Sequence, residues 1–524
     1  MLKMKKIIIL VTLVSFFASC SKESLELYNP NEPGTESLAT EEGIQKAAYG
    51  VYNPMRDSDD YYYYWFVLTN HNIMGDVTTV SAGNFGWRYV NQVASITRPN
   101  GVVVTPPVGG TQVKMLEQFN SRDQGNNNPS AHEWVPMYGV IGHTNLMLSV
   151  LDDVQFTGTA SEIATKKNTY KAWFLWWKAF AYSRIGSIYS KGLITDQYNK
   201  LVGNYVSNAE VLAEAKKVFT EAKNILSTIN ESDDTYKEIM NSLIPSHLKS
   251  GNGGFISPGM FVRNINSYLA RNILVNKYAS ELTQAELTEV EMLTNEGIKA
   301  TDKIFTVRSN ADDDLCLVYT TAWSPYRLLA GWENISERLV QDFKNGDNRF
   351  ERNIALRGSA IYNPRGRGLS YGTRYQAVDG GDYASSTAGS VEIPIACSYE
   401  ENQLMLAEVK IRNNNVNDGL THIDAVRNYQ NAQLPNVSGM GLTKEQALEE
   451  LRKERRVGLF QKGVAFYDAR RWGILKPVAQ GGGRQNANVV VDGNGTVEPC
   501  TIDYTYKEWF DVPAQETDFN PVSK

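Results

Sequence analysis

Along much of the chain, apolar side chains recur at three- and four-residue intervals, the spacing that builds one buried face of an α-helix. Residues 40–54 open with Thr40 as an N-cap and place Ile44, Ala47, Ala48, Val51 and Tyr52 on one side, with Pro54 expected to end the helix. Residues 132–153 repeat the pattern through Trp134, Tyr138, Ile141, Asn145 and Leu148. In 168–189 the stripe runs Tyr170, Trp173, Phe174, Trp177, Ala181, Arg184, Ile185 and Ile188, widened by Trp176 and Phe180, so this helix is expected to be packed on two sides. Residues 208–229 are amphipathic, and 401–430 break near Asn413–Gly419 into an antiparallel helix pair. At 443–473, Thr443 and Gln446 form a capping box, Ala447, Leu448, Leu451 and Leu459 face inward, and Gly463 makes a turn. The run DYYYYWF at 60–66 is apolar throughout and does not distinguish helix from strand. Residues 81–130, dense in Gly, Pro, Asn and Ser, predict loops and a hairpin. The fold expected is mainly α: a tetratricopeptide-like helical scaffold, without a regular 34-residue period, bearing an irregular loop-rich ligand-binding lobe and minor β structure.

Composition adds two constraints. The net charge of −6, nearer −9 once Lys3, Lys5 and Lys6 are set aside with a leader, argues against a nucleic-acid partner. Cys316, Cys397 and Cys500 are widely spaced and odd in number, so neither a disulfide framework nor a thiolate metal site is expected. With 28 Tyr, 18 Phe and 10 Trp, aromatic residues are unusually plentiful; most are expected in the core.

The first residues follow the layout of a secretory leader: basic through Lys6, apolar from Ile7 to Phe17, then Ala18 and Ser19 before Cys20. The segment FASC resembles the lipobox of bacterial lipoproteins, which makes Cys20 the candidate lipidation site. Expected boundaries are a leader at 1–19, a lipid-anchored tether at 20–39, and two further regions at 40–240 and 241–524. No later stretch offers the roughly 18 consecutive apolar residues of a spanning helix, so the expected membrane link is acyl chains such as palmitate.

Several segments together resemble the SusD/RagB family of Bacteroidetes outer-membrane lipoproteins. The 170–189 helix matches its aromatic helix, although SKGLIT replaces the usual sequence after it. Leu406, Ala407, Glu408, Ile423, Val426 and Arg427 match the family's helix pair; Glu454, Arg455, Gly463, Asp468, Arg471, Trp472 and Gly473 match the block ending in Arg-Trp-Gly. Pro513, Glu516, Asn520 and Pro521 match its closing segment, while Lys462 and Ala465 depart from the usual Glu and Arg. The resemblance implies a protein anchored at the outer face of the outer membrane. Such a protein captures oligosaccharides without cleaving them and delivers them to a SusC-like TonB-dependent transporter. It also leaves open a peptide ligand.

Sugar binding calls for aromatic faces beside amides, carboxylates and guanidinium groups. Two loops supply them: Asp76, Asn84, Trp87 and Arg88 in one, and Trp323, Tyr326 and Trp332 in the other. Glu454, Arg455, Asp468 and Arg471 are read instead as two opposite-charge pairs locking a helix–turn–helix. The sequence has no P-loop or H-E-x-x-H motif; His132-Glu133 lacks the second histidine, Pro136 occupying its place. No catalytic residue, cofactor or metal is therefore expected. The acidic runs at 57–60 and 312–314 are solvated loops on the simpler reading and a structural calcium site on the other. A surface glycoside hydrolase and a pure interaction scaffold are the alternatives from other classes. The first requires two facing carboxylates, and the second requires all the aromatics to be core.

Overall fold

The computed structural model describes residues 35–55, 63–80, 84–107, 109–198, 200, 202–308, 333–363, 369, 371–387 and 389–521. Cys20, both acidic runs, Trp323, Tyr326 and Trp332 lie outside the described residues.

Helix α1 (Glu41–Tyr49) is capped by Thr40, whose side chain accepts from the Gly43 N–H. It stops before Pro54: the chain tightens at Gly50 into a 3₁₀ turn that carries the proline to Met55, where its missing N–H is tolerated. The described part of the ambiguous aromatic run opens helix α2 (Tyr63–Met74), followed by strand β1 (Thr78–Val80). In the glycine-rich stretch lie the short helix α3 (Trp87–Val90), the hairpin β2 (Ser95–Thr97) and β3 (Val103–Val104), and helix α4 (Gln112–Phe119).

Helix α5 (Ala131–Val150) precedes the central element, α6 (Ala160–Ile188), which starts at a complete Thr159/Glu162 capping box. From Thr169 to Ile188 every side chain of α6 except Lys171 is buried. This widened aromatic stripe thus becomes a helix covered on all sides, through α5, α7 (Asn208–Leu226), α8 (Asp234–Leu243) and α9 (Pro258–Val275). Trp173, Trp176 and Trp177 are fully buried at the centre, Trp176 stacking on Phe180 at 5.5 Å. A small ladder, β4 (Lys191–Gly192) with β5 (Val206–Ser207), joins α6 to α7. Helix α10 (Gln284–Asn295) completes this half, and strand β6 (Thr306–Arg308) leaves it.

Strand β7 (Glu333–Ile335) returns antiparallel to β1, pairing Val80 with Glu333 and Thr78 with Ile335. Helices α11 (Glu337–Asp342) and α12 (Asn348–Asn353) lead to the pair β8 (Ile354–Ile361) and β9 (Thr373–Ala377), and β10 (Glu392–Pro394) pairs back with β6. The expected antiparallel pair is α13 (Tyr399–Arg412) and α14 (Val416–Tyr429). Then come α15 (Lys444–Gly458), with its Thr443/Gln446 capping box, and α16 (Ala465–Arg471), joined through Gly463 at φ +66°. Strands β11 (Arg484–Val490) and β12 (Val497–Asp503) form one four-stranded sheet with β2 and β3, in the order β11-β12-β2-β3, and α17 (Ala514–Thr517) closes the chain. Both ends of the chain thus contribute to one sheet, while helices dominate the fold as expected.

The charged block adopts a different pairing from the one expected. Arg455 does bond Asp468 (2.8 Å), but Arg471 shares that aspartate (2.7 Å) and also forms a two-point pair with Glu408 of α13 (2.7 and 2.9 Å). Glu454 turns away from the block to Arg349 (2.5 Å) and Arg427 (2.8 Å). All these groups are buried, where only a fully paired arrangement of charges is tolerable. The lock therefore ties α12, α13, α14, α15 and α16 together, beyond a single helix–turn–helix.

Candidate ligand-binding site

The first loop group anchors the protein from within. Trp87 is fully buried, edge-on to Phe66 at 5.7 Å and Phe85 at 5.3 Å, so its ring has no face left for a sugar. Asp76, at φ +53°, accepts from Arg338 (2.8 Å), Ser336 Oγ (2.9 Å) and the Tyr504 hydroxyl (2.5 Å), which leaves its carboxylate saturated and out of solvent. Arg88 is buried too, donating to the carbonyls of Val80 and Leu369, and burial pulls its guanidinium down to about 10. The expectation of exposed ligand contacts at Asp76, Trp87 and Arg88 is therefore corrected. The Gly- and Asn-rich composition suggested an open loop, but the turn is drawn inward by the aromatic cluster and by unsatisfied carbonyls that need donors. The backbone of Asn84 lies in a 3₁₀ turn preceding α3.

These residues form a polar junction. Gln92 accepts from the Leu369 N–H (2.9 Å) and Asn91 accepts from the Tyr371 hydroxyl (2.5 Å). Glu333 takes hydroxyl bonds from Thr69 (3.0 Å) and Thr78 (2.7 Å). Burial pushes its carboxyl up to about 8, against the pull of those two hydroxyls.

An open cleft of about 560 Å³ lies elsewhere, between α11, α15, the end of α16 and β11. Its aromatic wall is Trp472, the C-cap of α16, held there because Gly473 adopts φ +72° and ends the helix. Buried Arg471 packs against the indole at 4.8 Å and exposed Arg452 reaches over it at 5.8 Å. The opposite wall comes from a bulge in β11: the register with β12 shifts between Arg484 and Ala487, with Asn486 at φ +52°. Gln341 of α11 holds that bulge, donating to the Asn486 carbonyl (2.8 Å) and accepting from the Asn488 N–H (3.0 Å). The irregularity brings Arg484, Gln485 and Asn486 to the cleft. The combination of indole, amides and guanidinium groups suits hydrogen bonding to hydroxyls against an apolar face. A second cleft of about 470 Å³ is lined by Tyr383, Tyr429 and Phe460, but its cations are engaged: Arg352 with Asp382 (2.7 Å) and Lys462 with Glu400 (3.0 Å).

Sequence reading recognised Trp472 only as part of a family block and passed over Gln341, Arg452, Arg484, Gln485 and Asn486. The usable signal was the run Gly481-Gly482-Gly483 ahead of a polar strand, which marks a tight turn into exposed residues.

The sequence model of the SusD family matches residues 399–522. No curated protein matches the chain. Among solved structures, a SusD superfamily protein from Parabacteroides distasonis aligns at 14% identity over 94% of this chain and 98% of its own, with a TM-score of 0.58. A SusD-like protein from Bacteroides fragilis aligns at 16% identity over 94% and 98%, TM-score 0.58. A SusD-like carbohydrate-binding protein from Bacteroides vulgatus aligns at 14% identity over 91% and 95%, TM-score 0.55. The resemblance to the SusD/RagB family is borne out, by the family model in the C-terminal part and by the fold over nearly the whole chain.

Proposed function

We propose that this protein captures oligosaccharides at the outer face of the outer membrane, held there by lipid on Cys20, and passes them uncleaved to a SusC-like TonB-dependent transporter. The observation that carries the reading is the Trp472 cleft, in which a half-buried indole is ringed by amide and guanidinium groups within a SusD-type fold. The carbohydrate-binding relative from Bacteroides vulgatus supports it through the shared architecture. Of the two carboxylates lining the cleft, Asp342 acts as a counter-ion to Arg456 (2.5 Å), and Glu449 stands more loosely beside Arg452 (3.6 Å). That role suits a binder better than a hydrolase, whose acid and nucleophile must face the scissile bond. Among the described residues no helix is long and apolar enough to cross a membrane, and attachment through a lipidated Cys20 needs none.

The test is calorimetric titration with a panel of neutral and acidic oligosaccharides and peptides, followed by chromatography of the recovered ligand. At least one saccharide is expected to bind and return intact, with affinity reduced about 10-fold or more, some 1.4 kcal/mol, by Trp472→Ala. Shortened saccharides, or binding of peptides alone, would refute the reading.

A further inference from the structure

The cleft is more basic than its surroundings require. Arg338, Arg452, Lys453, Arg456 and Arg484 line it against Asp342 and Glu449, with Asp76 buried beneath. Arg338 and Arg456 are accounted for by Asp76 and Asp342 respectively. Arg452 and Lys453 share one carboxylate, Glu449, at 3.6 and 4.0 Å, distances too long for a strong pair. Arg484 makes no close ion pair among the described residues, although, against the pull of burial, Tyr504, Asp342 and Asp76 raise its guanidinium. Its contact with Asp76, at 4.0 Å, is long, that carboxylate is already taken by Arg338, Ser336 and Tyr504, and the buried Arg484 Nε has no hydrogen-bond partner among the described residues. Burial, and then the charge of Arg484, pull the Arg456 guanidinium below its usual range, which marks like-charge crowding on this wall.

We infer that this cleft selects acidic oligosaccharides, a uronic-acid carboxylate seating on Arg484 while the sugar ring lies against Trp472. The inference rests on the saccharide-capture reading and specifies its ligand class. A planar guanidinium offers paired N–H donors at the spacing of a carboxylate, and an anion here would relieve the Arg456–Arg484 repulsion. The exposed amides of Gln485 and Asn486 stand beside Arg484 to receive ring hydroxyls, while Arg452 and Lys453 at the rim add attraction for the next acidic unit. The bulge in β11 has a use in this arrangement: a regular strand would point alternate residues to opposite faces, whereas the extra residue lets 484, 485 and 486 serve one cleft.

The test is titration of the protein with tetragalacturonate and with maltotetraose, an uncharged chain of equal length, at about 50 mM and about 500 mM salt. Tetragalacturonate is expected to bind at least about 10-fold more tightly than maltotetraose, to weaken with salt, and to lose about 10-fold or more in Arg484→Gln. The rim variant Arg452→Gln, on an exposed helix position that carries no fold-critical contact, is expected to lose roughly 3-fold, and it keeps the test decisive if Arg484→Gln melts early. Equal affinity for the two sugars, or tetragalacturonate binding undiminished in both variants, would overturn the acidic preference and leave saccharide capture standing. Failure of the native protein to bind either sugar, together with failure across the wider panel, would overturn both.

Discussion

Glu333 permits a quantitative test of the polar junction beneath the loops. Its side chain is 2% exposed, it accepts from Thr69 and Thr78, and among the described residues no cation pairs with it. Burial raises its carboxyl from 4.5 to about 8. Between those values the folded protein keeps a proton that the unfolded chain has released, so stability is full below 4.5 and is lost as pH rises toward 8. Each pH unit inside that window removes up to about 1.4 kcal/mol, or about 3 kcal/mol between roughly pH 5 and pH 7.5. With a melting entropy of ~2.1 cal/mol/K per residue, a chain of this length shifts by about 1 °C per kcal/mol, hence by about 3 °C. Glu333→Gln offers one acceptor and one donor to the same two hydroxyls and cannot ionise. Measured by thermal melts in matched buffers, the difference Tm(variant) − Tm(native) is expected near zero at about pH 5 and about +3 °C near pH 7.5. Subtracting the native curve cancels every other titrating group that the substitution leaves undisturbed. A difference that stays flat across this range, or that falls with pH, would refute the claim that this carboxyl is buried without a counter-charge.

Two further outcomes follow from the packing. Although burial works against it, the charges of Arg471 and Arg412 hold Glu408 well below the usual carboxylate range, so Glu408→Gln leaves buried Arg455 and Arg471 sharing the single carboxylate of Asp468 and is expected to cost about 3 kcal/mol in urea unfolding. Trp87→Ala empties a fully buried ring site and is expected to cost about 3–5 kcal/mol in stability, while saccharide affinity of the folded fraction stays unchanged in calorimetry.

Much of the scaffold was readable because helices are local. The capping boxes at Thr159 and Thr443, the α13–α14 break and the stripe of α6 each depend on residues within a few positions of one another. The candidate site was not local in this sense. Trp87 and Asp76 sit in a glycine- and asparagine-rich stretch that composition marks as open, and only the ring cluster around Phe66 and the pairing of Asp76 with Arg338 reveal them as interior. Trp472 had the opposite history: within a conserved-looking structural block it read as scaffold, yet the end of α16 leaves it half-buried on a cleft wall.

The sequence by itself determined where helices begin, which faces turn inward and which family the chain resembles, since each rests on spacing and capping along a continuous segment. The tertiary structure alone decided which charges find partners and which aromatic rings reach the surface. Those outcomes depend on β11 meeting α11 and α15, on β2 joining β12 from a distant part of the chain, and on the spacing that leaves Arg484 without a close ion pair. Burial and pairing are properties of surroundings assembled from distant segments, and no periodicity along one strand or helix encodes them.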